Sequence, residues 1–281
     1  MAFVLFRIGG YRKETIDRNL RNSFPEKNEA EIALIRRKFY RHFTDLVVET
    51  IKLSRCREED LAERMHMSEE SKKLLSDIPK GAVVVLGHRG NWEFGNLFIS
   101  SLNITEPIVV YKPLASKKFE AWFKSMRTRF GSTMTPMKEV YEELEKKREK
   151  PYIVFLVNDQ SPNPARAYWT RFLNQDTGVF RGAEIISRKY DIPVLFADVR
   201  CVEGKRGYYE VEIELFTENP AAYPQNAILE SQIRGMERNI RSQPYNWLWT
   251  HKRWKHARPE ILTRDQLPEN SDGWEKAKQN F

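Results

Sequence analysis

Cysteine is scarce: Cys56 and Cys201 are the only two in 281 residues. They stand far apart and in no metal-ligand spacing, which argues against a disulfide scaffold and for a reducing compartment. No apolar run reaches the roughly 18 residues that cross a bilayer. The stretch from Met1 to Ile8 is apolar but short, and no cleavage region follows it. Three readings of it stay open: the remnant of a longer anchor, an interfacial helix, or core. There is no Gly-x-Ser-x-Gly elbow, no Gly-x-x-x-x-Gly-Lys-Ser/Thr loop and no metal-spaced His/Cys cluster, so a serine nucleophile, a nucleotide loop and a metal site find no support.

Positive charge is plentiful. Forty-seven Lys and Arg against 39 Asp and Glu leave a formal +8. That excess attracts phosphate, anionic lipid or an acidic protein without choosing among them. Charged residues at 31% and hydrophobic ones at 41% exclude a disordered tail and a polytopic membrane protein.

Residues 1–77 read as helical. Ile32, Ile35, Phe39, Phe43, Leu46, Val47 and Ile51 recur at helical spacing, and Ser23-Phe24-Pro25-Glu26 breaks the chain before them. From Ile78 onward strands and helices alternate. Strands are expected over 82–86, 107–111, 152–157, 193–200 and 207–216, and helices over 92–102, 117–129, 140–149, 177–189 and 227–241. This predicts an α/β fold: a mixed, largely parallel central sheet flanked by helices, with a helical N-terminal section packed on it. The expected division is 1–77, a core over 78–260 and a tail over 261–281.

Gly87-His88-Arg89-Gly90-Asn91-Trp92-Glu93 sits between the first of those strands and its helix. The carboxyl ends of parallel strands are where open α/β sheets keep their chemistry. With Asn91 as helix cap, Glu93 falls in the first turn. From there it is expected to bond one ring nitrogen of His88, fix the tautomer and make the other nitrogen a general base. Three further groups lie at strand ends or beyond. Tyr111 and Lys112 close the second strand and should face the same rim. Asn158-Asp159-Gln160 follows the strand at 152–157. Trp247-Leu248-Trp249-Thr250-His251-Lys252-Arg253-Trp254-Lys255-His256 mixes aromatics with cations. That last segment suits a membrane interface, stacking on single-stranded nucleic acid, or a C-terminal stretch folded on the core. On the residues alone, Arg127 and Arg129 read as a solvated helix end, and Asp159 as either a member of a rim site or a helix or turn cap.

Together these blocks resemble the lipid A late-acyltransferase family, within the glycerolipid-acyltransferase-like fold. The resemblance runs from about Tyr11 to Pro259. It rests on Asn19-Leu20 with Phe24-Pro25-Glu26, on His88-x-x-x-x-Glu93, on Val110-Tyr111-Lys112-Pro113, on Asp159-Gln160, and on the segment from Trp247 to Lys255. Two departures stand out. The membrane-spanning helix with which the family normally begins is not found, so a shortened or purely peripheral member is expected. Lys112 stands where the family has arginine.

The resemblance implies catalysis by His88 and Glu93. It implies substrate contacts from Asn91, Tyr111, Lys112, Arg127, Asp159, Gln160, His251 and Arg253. The implied donor is an acyl carrier protein or acyl-CoA thioester. The acceptor is a hydroxyl of an anionic lipid A precursor at the cytoplasmic face of the bacterial inner membrane, with no cofactor and no metal. Other glycolipids, aminolipids and lysophospholipids remain rival acceptors. No Phe-Pro-Glu-Gly follows the strand at 152–157, which argues against the glycerol-phosphate branch. A non-catalytic basic protein that binds membranes or nucleic acid is the rival from another class. Nucleic acid as partner leaves His88 and Glu93 without a role.

Overall fold

The computed structural model describes residues 10–260. The stretch from Met1 to Ile8 and the tail over 261–281 lie outside them. Helix α1 (Lys13–Ser23) leads into α2 (Glu29–Leu53). Asn28 starts α2 with a capping box: its Oδ1 accepts from the Glu31 N–H, and the Glu31 carboxylate accepts from the Asn28 N–H. Next come α3 (Glu58–Arg64), β1 (Met65–Met67), α4 (Glu69–Ser76), β2 (Gly81–Leu86), α5 (Trp92–Ser101), β3 (Glu106–Tyr111) and α6 (Lys117–Arg127). The chain continues through β4 (Thr133–Pro136), α7 (Val140–Leu144), β5 (Tyr152–Val157), β6 (Tyr168–Phe172), β7 (Gln175–Val179), α8 (Gly182–Tyr190), β8 (Val194–Cys201), β9 (Tyr209–Thr217) and α9 (Ala227–Ser242).

Seven strands form one sheet in the order β1-β9-β8-β2-β5-β3-β4. All its pairings are parallel except the β8–β9 hairpin, as the alternating pattern predicts. β2 and β5 are apolar along their length because both faces are covered. Ala82 and Val84 point to a core shared with α5 through Phe94, Leu97 and Phe98. Val83 and Val85 point to the opposite core, shared with α8 through Ala183 and Ile186. A third core joins Ile16 and Leu20 of α1, Ile32 and Phe39 of α2, Tyr168 and Phe172 of β6, and Trp247 and Trp249.

Several elements differ from the expectations. The section before Ile78 is not wholly helical: β1 adds a strand to the sheet edge, parallel to β9. β4 was not expected, and the helix at 140–149 is one short turn, α7. The helix expected over 177–189 starts only at Gly182, because Gln175–Val179 pairs antiparallel with Tyr168–Phe172. The two-residue turn of that hairpin, Leu173-Asn174, has φ of 47° and 64°. Left-handed backbone at both positions defines a type I′ turn, for which Asn-Gly is the usual signal and Leu-Asn is not.

The loop after β2 is pinned by Gly90. Its φ is +53°, and a β-carbon there would lie 2.6 Å from the Val199 carbonyl oxygen. That oxygen is backbone and cannot swing aside, and the left-handed conformation adds its own strain. Gly90→Ala is therefore expected to lower stability by about 2–4 kcal/mol, read as a shifted midpoint in urea unfolding with an unchanged m-value.

Candidate active site

Strand register brings the candidate residues together. β2 and β5 pair in parallel with Leu86 opposite Val157. His88 and Asp159, each two residues beyond those partners, therefore emerge level. Asp159 Oδ1 lies 2.6 Å from His88 Nδ1, and Oδ2 accepts the His88 backbone N–H at 2.6 Å. The Trp247 indole N–H donates to the same Oδ2 at 2.8 Å. Burial alone raises a carboxyl pKa, but here His88 and these hydrogen bonds outweigh it and hold Asp159 at about 2. An ionised carboxylate at Nδ1 makes that nitrogen the N–H donor. Nε2 is left as acceptor, and the Gln160 side-chain amide approaches it at 3.3 Å. The His88 side chain keeps 16% of its surface exposed, while that of Asp159 keeps 2%.

The bond expected between Glu93 and His88 is not formed. Glu93 instead takes both Arg127 Nε at 2.8 Å and Nη2 at 2.5 Å. Five residues along the chain place Glu93 beside the loop, but the first turn of α5 directs it toward the end of α6. Trp92 joins the two groups. Its ring meets His88 edge-on at a centroid distance of 4.8 Å, and its N–H donates to Glu93 Oε1. Burial opposes the charge on Arg127, but Glu93 prevails and raises its pKa. Tyr111 lies near enough for its phenol to interact with Arg127, and its hydroxyl donates to Glu120. Lys112 is exposed just beyond β3.

Two residues expected to touch substrate are buried behind the site. Asn91 is fully buried. Its Oδ1 caps α5 by accepting the Phe94 N–H, and its Nδ2 donates to Glu49, which also accepts from the Tyr209 hydroxyl at 2.6 Å. Burial raises the Glu49 pKa despite both donors. Arg253 is also buried, and Nη2 donates to the Gly178 carbonyl of β7. His251 stands closer to the centre: its Nε2 accepts the Ser161 N–H at 3.2 Å.

The aromatic C-terminal segment does not present its indoles to a membrane or to bases. Trp247 and Trp249 are buried in the third core, and Trp254 donates to Thr177. The segment closes over the His88 loop instead. Asn246 accepts the Gly90 N–H through its carbonyl and the Arg89 Nε through its side chain, and the Leu248 N–H bonds the His88 carbonyl. Asn19 of α1 donates to the carbonyls of Trp249 and His251 and fastens the segment from outside. Sequence reading missed the roles of Trp92, Trp247 and Asn246. The one available signal was Trp247 itself, in a block expected to matter for a different reason.

The carboxyl ends of β2 and β5 thus bring an imidazole and a buried carboxylate together at one rim of a largely parallel α/β sheet. The model of one family, bacterial lipid A biosynthesis acyltransferase, matches residues 1–256. The chain belongs to that family, and its activity is acyl transfer. No curated protein matches it.

Buried His42 and half-buried His251 make stability depend on pH. Burial holds His42 and His251 at about 4, below the ordinary 6.5. Both are neutral in the fold at pH 7, whereas the unfolded chain binds protons there as pH drops below about 6.5. Stability should therefore decline as pH falls from about 6.5 to about 4 and level off below that for these groups. His251→Gln should show a shallower decline than wild type across that window, measured as urea midpoint against pH.

Proposed function

We propose that His88 is the general base of a direct acyl transfer onto a lipid hydroxyl, oriented by Asp159. The observation that carries this reading is the 2.6 Å pairing of His88 Nδ1 with an ionised, buried carboxylate, which leaves Nε2 as the acceptor on a ring that keeps 16% of its side-chain surface exposed. The acceptor hydroxyl takes the place of the Gln160 amide at Nε2. Its proton passes to His88 as the oxygen attacks the thioester carbonyl. The tetrahedral intermediate collapses, the C–S bond breaks, and the imidazolium returns the proton to the departing thiolate. Asp159 stays ionised throughout and stabilises the imidazolium.

Glu93 has a different task in this reading. It holds Arg127 by two parallel bonds, and the guanidinium presents its remaining N–H groups to an anion. That anion is a phosphate of the acceptor or the developing oxyanion, and planar donor geometry suits either. The donor is an acyl carrier protein or acyl-CoA thioester, and an acidic carrier matches the positive balance of the chain. The acceptor is a lipid A precursor presented at the cytoplasmic face of the inner membrane. No helix of the described residues is long and apolar enough to cross a membrane. We also infer that the described chain works as one core, since β1 and the third core tie the N-terminal helices to the sheet.

The test is turnover of a thioester donor with a lipid A precursor, followed by mass spectrometry for the added acyl group. His88→Ala and Asp159→Ala are each expected to lose about 10²–10⁴ in kcat. Arg127→Ala should raise KM for a phosphorylated acceptor more than for one lacking phosphate. Near-normal turnover by His88→Ala would refute the general-base role. A Glu93→Ala defect much larger than that of Arg127→Ala would return Glu93 to the imidazole.

A further inference from the structure

We propose that the N-terminal half of α6 and the loop before it form the surface by which the protein docks on an anionic lipid bilayer. The inference rests on the acyl-transfer reading above for its orientation, and on the following observations for its substance. Residues 112–119 are exposed without interruption. They include Leu114, and they end in Phe119 with 63% of its surface exposed. Phe119, Trp122, Phe123 and Met126 follow helical spacing, and burial rises along this single stripe: Phe119 is open, Trp122 and Phe123 are half-buried against the core, and Met126 is 1% exposed. Leu114 and Phe119 are two large apolar side chains left in water within one exposed segment of six residues, where an isolated one would need no explanation.

Charge selects the partner. Between Lys112 and Arg129 there are six cations and one carboxylate, Glu120. Glu120 is engaged locally, accepting the Tyr111 hydroxyl at 2.8 Å and the Leu114 N–H. Lys117, Lys118 and Lys124 remain exposed around Phe119. Apolar side chains ringed by lysine match a headgroup layer, where the rings enter the acyl boundary and each ammonium near an anionic surface adds attraction. An acidic carrier protein would use the lysines but gives no reason for a bare phenylalanine. The other end of α6 holds Arg127 against Glu93 beside His88, so a helix seated this way sets the catalytic rim at the bilayer.

The experiment is co-sedimentation of the full chain with vesicles of pure phosphatidylcholine, or of phosphatidylcholine containing 1 part in 3 phosphatidylglycerol (roughly, an inner-leaflet charge density). Wild type should bind the anionic vesicles and not the neutral ones. The double variant Leu114→Ser/Phe119→Ser should lose at least about tenfold in vesicle affinity. Lys117→Glu/Lys118→Glu should lose as much at low salt. Both variants should keep wild-type turnover on a detergent-dispersed acceptor and wild-type melting, since the altered side chains are exposed. Unchanged vesicle binding by the apolar variant would overturn the proposal. So would binding lost only toward an acidic carrier protein. Loss of turnover in wild type itself would instead count against the acyl-transfer reading and leave the vesicle result to stand alone.

Discussion

The Asp159 carboxylate is the interaction on which the site depends. Its two oxygens accept from the His88 backbone, the His88 ring and the Trp247 indole. One group thus ties the loop after β2, the loop after β5 and the C-terminal segment. It also sets the proton on Nδ1. A buried charge tolerates such a position only with its lone pairs satisfied, and here the satisfying donors are the elements that must be held in place.

Behind the site, a second polar layer keeps the His88 loop from shifting. Asn91 is locked between the start of α5 and Glu49, and Tyr209 completes that group from β9. His42 bonds the Gly90 carbonyl through Nε2, which leaves Nδ1 to face the Cys201 thiol at 3.6 Å. Burial pushes that thiol up to about 12, so Cys201 serves as a weak donor and not as a nucleophile. Helix α2 from the N-terminal section therefore contributes Glu49 and His42 to the support of a loop in the sheet. Packing and chemistry are not separable here.

Much of the sheet was legible because β2, β5 and β8 carry apolar runs between polar loops, and such runs admit few other readings. The β6–β7 hairpin was not, since its turn residues Leu173 and Asn174 adopt left-handed backbone without the usual glycine. β1 is three residues long, too short for any period to show. The position of His88, just past the carboxyl end of β2, was legible from the strand before it. Its partner was misassigned for a definable reason. Local spacing favours Glu93, whereas the pairing with Asp159 spans 71 positions and follows only once β5 is known to lie beside β2 with Leu86 opposite Val157. Asn91 and Arg253 were expected among the substrate contacts; both are buried, and their side chains bond Glu49 and the Gly178 carbonyl.

The reach of the Trp247 contact has a consequence for biogenesis. Asn246 and Trp247 close over a loop made some 157 positions earlier, and Asn19 of α1 clasps the same segment across 230 positions. During synthesis the imidazole leaves the ribosome long before the indole that seats its carboxylate. The Asp159 carboxylate can therefore gain its indole donor only after the last-made segment of the described chain has been synthesised.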